Sequence, residues 1–216
     1  AKQQELFINA IKGHKMEVLF LTALYTGMRQ GELLALTWDD INLDEMYIDV
    51  NKNVVKTAYV DLDGRGSYKY EVQTPKTLSS IRRVFIPSLL IEPLQSLKIK
   101  QKAHYKKLGN LYNLELNLVF CNSKGYYLDA GNVRKKFKEV AKEVGAPDVT
   151  FHSMRHAYAS RLFENNVKDK TVQKLLGHSN ISTTLNIYTH VQEEILRSAV
   201  NTFEGQKGAK KGQIEI

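Results

Sequence analysis

Residues 151 to 190 read FHSMRHAYASRLFENNVKDKTVQKLLGHSNISTTLNIYTH, and the rest of the fold can be interpreted from this segment. Within it, His152 and Arg155 lie three positions apart, a spacing that puts two side chains on the same face of a helix. His178 follows a second helical run, and Tyr188 comes ten positions later. A phenol, two imidazoles and a guanidinium are suited to attacking and holding a phosphodiester without a metal. The stretch therefore predicts a site that acts on one phosphate.

Glycine and short polar residues divide this stretch into segments. The run DKTVQKLLG predicts a helix that ends at Gly177, because glycine readily adopts the left-handed conformation of a helix end. Ser179 or Asn180 is placed to cap the short segment NISTTLNI that leads to Tyr188. Past Tyr188, the run VQEEILRSAV predicts one more amphipathic helix.

This arrangement resembles the tyrosine recombinase (phage integrase) family, whose catalytic domains carry H-x-x-R-H, L-G-H and a tyrosine about ten residues beyond. Here the motifs read from His152 to His156, from Leu176 to His178, and at Tyr188. The resemblance covers roughly residues 6 to 200, and the combination is specific although each motif alone is weak. It implies an α+β fold, a mainly helical catalytic domain with a small antiparallel β-sheet on one side.

The bulk composition bounds the class of protein. With 216 residues, 43% of them hydrophobic, the chain can bury one large core. A net charge of +8 predicts attraction to a polyanion, first of all nucleic acid, although a basic soluble enzyme would carry the same charge. Cys121 is the only cysteine, which fits a reducing, cytoplasmic compartment. No apolar run exceeds the four residues of 18 to 21, which is too short for a membrane span, so we expect no membrane partner.

A second candidate group lies near the start of the chain. The nearly all-apolar run from His14 to Tyr25 predicts a buried helix, and Arg29 opens the next one. An arginine at a helix N-terminus adjoins free backbone N–H groups, which favour binding of an anion. The same sequence would also fit an ordinary surface arginine. The resemblance makes Arg29 the second phosphate clamp and Glu32 an acidic residue that orients active-site side chains. Otherwise Glu32 is a solvent-facing glutamate.

Residues 46 to 87 change to a β pattern. The segments MYIDV, VVKTAYV, YKYEVQT and RRVFIP predict a small antiparallel sheet, with a hairpin turn at residues 63–66. The loop at residues 74–80, TPKTLSS, carries one lysine, and a lone loop lysine is ordinarily only solvated. The resemblance implies that Lys76 reaches into DNA and protonates the leaving oxygen. Lys69, in the preceding strand, is the alternative.

Two further predicted helices carry many cations. The helix at residues 91–108 is crowded by five lysines, which form either a solvated face or part of a DNA-facing surface. The helix at residues 130–144 buries an apolar stripe and leaves four cations outward. These four are Arg134, Lys135, Lys136 and Lys138.

The resemblance also implies a reaction. Tyr188 attacks the phosphorus of double-stranded DNA and forms a 3′-phosphotyrosyl link, while Arg29 and Arg155 share the developing charge. His152 and His178 donate hydrogen bonds or relay the phenol proton. No phosphate-loop motif and no convincing carboxylate cluster for a pair of metal ions is present in the sequence, so we expect neither a metal nor another cofactor.

Partners and boundaries follow from the same resemblance. It implies a homo-tetramer acting on two DNA sites, in the integration and excision of a mobile element. We expect a catalytic domain at residues 1–203 and a flexible tail at residues 204–216 that docks onto an adjacent protomer. We also expect one or more N-terminal DNA-binding domains that this chain lacks.

Three rival interpretations remain open. His152 and His156 have the i, i+4 spacing of a zinc site, but the glutamate of H-E-x-x-H is missing and Arg155 lies between them. His156 is then a residue that packs or hydrogen-bonds behind the site. A DNA-binding module without chemistry would show the same charge, and a topoisomerase of type IB would share the site chemistry.

Overall fold

The computed structural model describes residues 2–60, 63–64, 66–74 and 80–204. The helices among them are α1 (Lys2–Ala10), α2 (Glu17–Thr26), α3 (Gln30–Ala35), α4 (Ile91–Leu108), α5 (Ala130–Glu143), α6 (Ser153–Glu164), α7 (Asp169–Leu176) and α8 (Ile181–Glu204). The strands are β1 (Ile41–Asn42), β2 (Tyr47–Val50), β3 (Asn53–Val60), β4 (Gly66–Gln73) and β5 (Arg82–Phe85). The predicted α+β class, mainly helical with antiparallel strands, is confirmed.

The strands form two sheets, and the prediction of a single sheet was wrong. Strands β1, β2 and β5 make one antiparallel sheet, and β3 and β4 make a separate hairpin. The break falls at Asn51 and Lys52, which both bind the Asp40 carboxylate, at 3.0 and 2.7 Å. Because these contacts hold the chain at Asp40, β3 starts away from the first sheet and pairs only with β4 among the described strands.

The main core is built on α2, which is buried as predicted. Phe137 of α5 lies among Phe7, Phe20 and Phe151, with ring centroids 5.3, 5.9 and 5.8 Å away. Burying each such ring contributes about 1.5–3 kcal/mol. The helix begins at Glu17 rather than at the predicted His14, because the His14 ring accepts the Met16 backbone N–H and forms a turn.

A second, smaller core holds α7 and α8 against α6. Its buried residues are Ala159, Phe163, Val172, Leu176, Ile187 and Val191. This cluster fixes the turn that follows α7, and with it His178. The two cores meet where α6 packs against α2.

Helix α8 differs from its prediction. It is one continuous helix through Tyr188, instead of a short segment followed by a separate helix. No glycine or proline interrupts residues 181 to 204, so no residue in that range favours a break. Asn180 caps the helix as predicted, since its side chain accepts the Ser182 N–H at 2.9 Å.

Some predicted features fall outside this description. Of the predicted tail at residues 204–216, only the backbone of Glu204 is described, and the predicted hairpin turn is described only in part. Throughout the described ranges, no helix combines the length and the apolar character needed to cross a membrane.

Candidate functional site

Three arginines converge on the C-terminal end of α7. The hydrogen bonds run from Arg82 Nε to the Leu175 carbonyl (2.8 Å), from Arg155 Nη2 to the Leu176 carbonyl (2.5 Å), and from Arg29 Nη2 to the Gly177 carbonyl (3.1 Å). Carbonyls at this end have no partner within the helix and carry the negative end of its dipole. The end of α7 therefore gathers cations from three distant parts of the chain.

Arg155 is the most enclosed of the three. Arg155 is 3% exposed, and its Nη1 also donates to the Gly27 carbonyl at 2.6 Å. Burial, assisted by the charges of Arg29 and Arg82 and opposed by Glu32, lowers the pKa of Arg155 to about 9. The guanidinium still carries its charge at neutral pH, so a buried cation is fixed in place before any substrate arrives.

Gly27 allows these elements to approach. Its φ is 61°, in the left-handed region, and it ends α2. A Cβ atom built there would lie 2.5 Å from the Tyr158 ring and 3.2 Å from the Leu176 side chain. Only glycine meets both conditions, so it lets the end of α2 lie directly against α6 and α7.

Glu32 is the carboxylate that organises the arginines. It is 5% exposed, and it accepts two bonds from the Arg82 guanidinium, at 3.1 and 2.9 Å. Its oxygens also accept Arg29 Nη1 at 2.9 Å and the Arg29 backbone N–H at 2.8 Å. Burial alone would raise the pKa of Glu32, but the bonds and charges of Arg82 and Arg29 lower it below its ordinary value. Glu32 is thus not a solvent-facing glutamate.

Arg82 is a site residue that the sequence interpretation missed. It lies on β5 in phase with the buried Val84, whereas the alternating residues Arg83 and Phe85 are exposed. Alternation along a strand puts Arg82 on the core side, and a cation in that position needs a buried partner. That pattern in RRVFIP is the signal that would have found it.

His178 lies directly after Gly177, whose φ of 65° turns the chain at the end of α7. The half-buried ring places Nδ1 2.9 Å from the Thr184 hydroxyl on α8. Burial, followed by the charges of Arg155, Arg29 and Arg82, lowers the pKa of His178 to about 4. The imidazole is therefore neutral at neutral pH.

His152 stands on the exposed side of the same cluster. Its backbone is helical, and its carbonyl accepts the Arg155 N–H at 3.0 Å, so the helical turn that places Arg155 begins there. Partial burial lowers the pKa of His152, and the charges of His156, Arg155 and Arg29 lower it further. The exposed His156 packs its ring edge-on against that of His152, with centroids 5.0 Å apart. Among the described residues, no three His, Cys, Asp or Glu side chains are grouped to hold a metal ion.

The predicted nucleophile lies at the edge of this arrangement. Tyr188 is 37% exposed, and its ring packs against Phe163 at 5.2 Å between centroids. It follows Thr184 by one turn of α8, on the same side of the helix. The hydrogen bonds that join the arginines, Glu32 and His178 do not include the Tyr188 hydroxyl.

The two candidate lysines complete the comparison with the sequence. Lys76 lies outside the described residues, so its placement stays a prediction. Lys69 is exposed on β4, paired across the hairpin with Thr57. The structure thus brings together four of the six predicted catalytic residues, namely Arg29, Arg155, His152 and His178.

Comparison with known proteins gives consistent matches along most of the chain. The model of the phage integrase family matches residues 1–194. A tyrosine recombinase XerC-like protein of Caldanaerobacter subterraneus subsp. tengcongensis is 44% identical over 195 residues, which is 89% of this chain and 50% of that protein. The ICEBs1 integrase of Bacillus subtilis is 30% identical over 179 residues, which is 81% of this chain and 45% of that protein. The chain spans about half the length of these curated relatives.

Solved structures show the same fold. The Tn1549 transposon integrase, in complex with transposon right end DNA, superposes with a TM-score of 0.72 at 24% identity, covering 94% of this chain and 64% of that one. The XerH site-specific recombinase bound to difH substrate gives a TM-score of 0.61 at 25% identity, and the match covers 93% of this chain and 52% of that one.

Proposed function

This chain belongs to the phage integrase family, and we propose that it is the catalytic part of a site-specific DNA recombinase that works through a 3′-phosphotyrosyl intermediate. One observation carries the proposal. Three guanidinium groups meet at the end of α7, and among the described residues one buried carboxylate, Glu32, pairs with them. The cluster therefore keeps an excess of fixed positive charge, which suits the negative charge that grows on a phosphodiester under attack.

In the proposed cleavage step, the Tyr188 oxygen forms a bond to phosphorus and the bond to the 5′ oxygen breaks. Arg29 and Arg155 stabilise the charge on the non-bridging oxygens. His152 and His178 are kept uncharged by their surroundings, so each ring offers both an N–H donor and a proton acceptor. One of them accepts the phenol proton, and a 5′ hydroxyl of another strand reverses the step without ATP.

Tyr188 must bring its hydroxyl to the phosphate between these arginines. Two features support that role. Its ring is accessible, and Thr184, one turn earlier on α8, already contacts His178. We propose that a movement of α8 relative to α7 delivers the phenol.

Lys76 is proposed as the acid that protonates the leaving 5′ oxygen. Support comes from the residue that closes its loop, because the Ser80 carbonyl accepts Arg82 Nη1 at 3.3 Å. Arg82 thus ties this side of the loop to Glu32 and α7. Lys69 is the weaker candidate, since its strand pairs within the separate hairpin.

The partner proposed for the whole protein is double-stranded DNA, with a homo-tetramer acting on two sites of a mobile element. The net charge of +8 and the relatives named integrase support this proposal. We propose that the catalytic domain spans residues 1–203 and that residues 204–216 are a tail that docks onto an adjacent protomer.

A nicked duplex that releases the short fragment downstream of the cleaved bond, the one that carries the 5′ hydroxyl, tests the proposal, because that loss traps the covalent complex. We expect a protein–DNA adduct that survives denaturation and a free 5′ hydroxyl on the released fragment. Tyr188→Phe should remove the adduct, whereas Tyr126→Phe, an exposed tyrosine in a turn between α4 and α5, should leave it. An adduct that persists in Tyr188→Phe, or no adduct with any attachment-site DNA, would refute the mechanism.

A further inference from the structure

Two adjoining cavities lead away from the candidate site, and the mechanism above does not use the part beyond His152 and Arg155. One cavity of about 180 Å³ is lined by His152 and Arg155, together with Gln30 and Arg134. A second cavity of about 480 Å³ is also lined by Gln30 and Arg134, and it extends to β3 and the start of α5. The two cavities share these side chains and therefore adjoin, and together they are called the groove, which begins at the arginine cluster.

The shared side chains are held in place. Gln30 follows Arg29 in the chain, and its Nε2 donates to the Ala130 carbonyl at 2.9 Å. Its Oε1 accepts Arg134 Nη1 at 2.9 Å. No carboxylate of the described residues pairs with Arg134, so most of its five N–H donors remain for a ligand. The amide of Gln30 therefore presents an exposed guanidinium next to the site.

The far wall of the groove is also fixed and carries no net negative charge. Lys56 Nζ lies 2.7 Å from Asp129 Oδ2, and Asp129 Oδ1 accepts the Asn132 N–H at 2.9 Å. A Cβ atom at Gly31 would lie 2.0 Å from Asn53 Oδ1, so glycine lets β3 lie directly against α3. A phosphate in the groove meets a neutralised carboxylate and a free cation.

We propose that this groove holds the DNA strand beside the cleaved phosphate, with Arg134 clamping a neighbouring phosphate of the same strand. The inference rests on the proposed function and adds a second phosphate position to it. A guanidinium fork suits phosphate oxygens, and continuity with Arg155 keeps both phosphates on one path. Gln30 is the positioning residue for Arg134.

The test uses duplexes whose cleaved phosphate has been mapped through the covalent adduct. In each duplex, one phosphate near the cleaved one is replaced by an uncharged methylphosphonate, and affinity is measured with the Tyr188→Phe protein. We expect one neighbouring position at which the replacement weakens binding about tenfold. Adding Arg134→Ala should weaken binding to unmodified DNA by a similar factor and abolish the effect of the methylphosphonate at that position alone.

Lys135→Ala is the matched control, because Lys135 is an exposed cation on the same helix that lines neither cavity. In Lys135→Ala, each methylphosphonate should weaken binding by the same factor as in the protein with Arg134 intact. Arg134→Lys keeps the charge but not the guanidinium fork, so its affinity for unmodified DNA should lie between those of Arg134→Ala and Lys135→Ala. If Arg134→Ala responds to each methylphosphonate as Lys135→Ala does, the groove does not hold the strand. That result is distinct from failure of the proposed function, in which no adduct forms on any duplex.

Discussion

Arg155 and Tyr188 lie on helices that pack against each other, α6 and α8, yet the structure treats them in opposite ways. Arg155 is buried, and its guanidinium donates to carbonyls from two other elements. Tyr188 is exposed, and its described contact is an aromatic ring rather than a hydrogen bond. The groups proposed to stabilise charge are preorganised, and the proposed nucleophile is not.

The difference has an energetic basis. Burying guanidinium groups is unfavourable unless partners replace their water, and here the α7 carbonyls and Glu32 are those partners. This free-energy cost is met when the chain folds, so the groups proposed to stabilise charge need no rearrangement during the proposed reaction. A nucleophile held equally tightly by these cations would lose the freedom to reach and leave the phosphate.

The largest effect should come from removing Glu32. Glu32→Ala leaves the buried Arg82 without its carboxylate, and we expect a loss of about 3–5 kcal/mol in the free energy of unfolding. Urea denaturation followed by circular dichroism measures it. Asp49→Ala, which removes the partner of the exposed Arg83, is the control and should change the midpoint far less.

The double variant Glu32→Ala/Arg82→Met tests the cause of this loss of stability. If the loss comes from an unpaired buried cation, removing that cation should restore a large part of the stability. A double variant no more stable than Glu32→Ala would show that the ion pair does not organise the cluster.

The Glu32–Arg82 pair also marks the limit of the sequence interpretation. The two residues are 50 positions apart, and their pairing depends on how β5 and α3 meet. Local patterns predicted α4 with its observed bounds and α5 within one residue, because both have long amphipathic repeats and clear ends. The motifs located Arg29, Arg155, His152 and His178, since these lie at fixed spacings from turns.

Other features depend on tertiary contacts or on competing signals. The division of the strands into two sheets follows from the contact of Lys52 with Asp40, which spacing does not reveal. The motif suggests a helix boundary at Tyr188, but the residues themselves favour a continuous helix, and α8 is continuous there. The motifs thus indicated the family that the comparison shows, but the one at Tyr188 gave the wrong local structure.

An effect of intermediate size is the change in the free energy of unfolding with pH that comes from the neutral imidazole of His178. Its folded pKa of about 4 lies below its ordinary value, so the unfolded chain binds the extra proton first as pH falls. Stability should therefore decrease from about pH 6.5 towards pH 4, by up to about 1.4 kcal/mol per pH unit from this group. Above about pH 6.5 the group should have no effect.

His178→Asn should flatten that part of the stability profile, measured by urea titrations at several pH values. His104→Asn, at an exposed position on α4, is the control and should keep the wild-type slope. An unchanged slope in His178→Asn would mean that the imidazole is not held neutral by the cluster.

The smallest expected effect is the most direct test of the contrast between Arg155 and Tyr188. Tyr188→Phe removes a hydroxyl that has no hydrogen bond to a described residue, so the free energy of unfolding should change by no more than about 0.5 kcal/mol. Thr184→Val removes the buried hydroxyl that contacts His178 and should cost about 1–2 kcal/mol. Equal losses in the two variants would mean that the Tyr188 hydroxyl is held in the folded protein. The nucleophile would then be as fixed as the arginines, because a group that contributes to stability cannot leave its place without that cost.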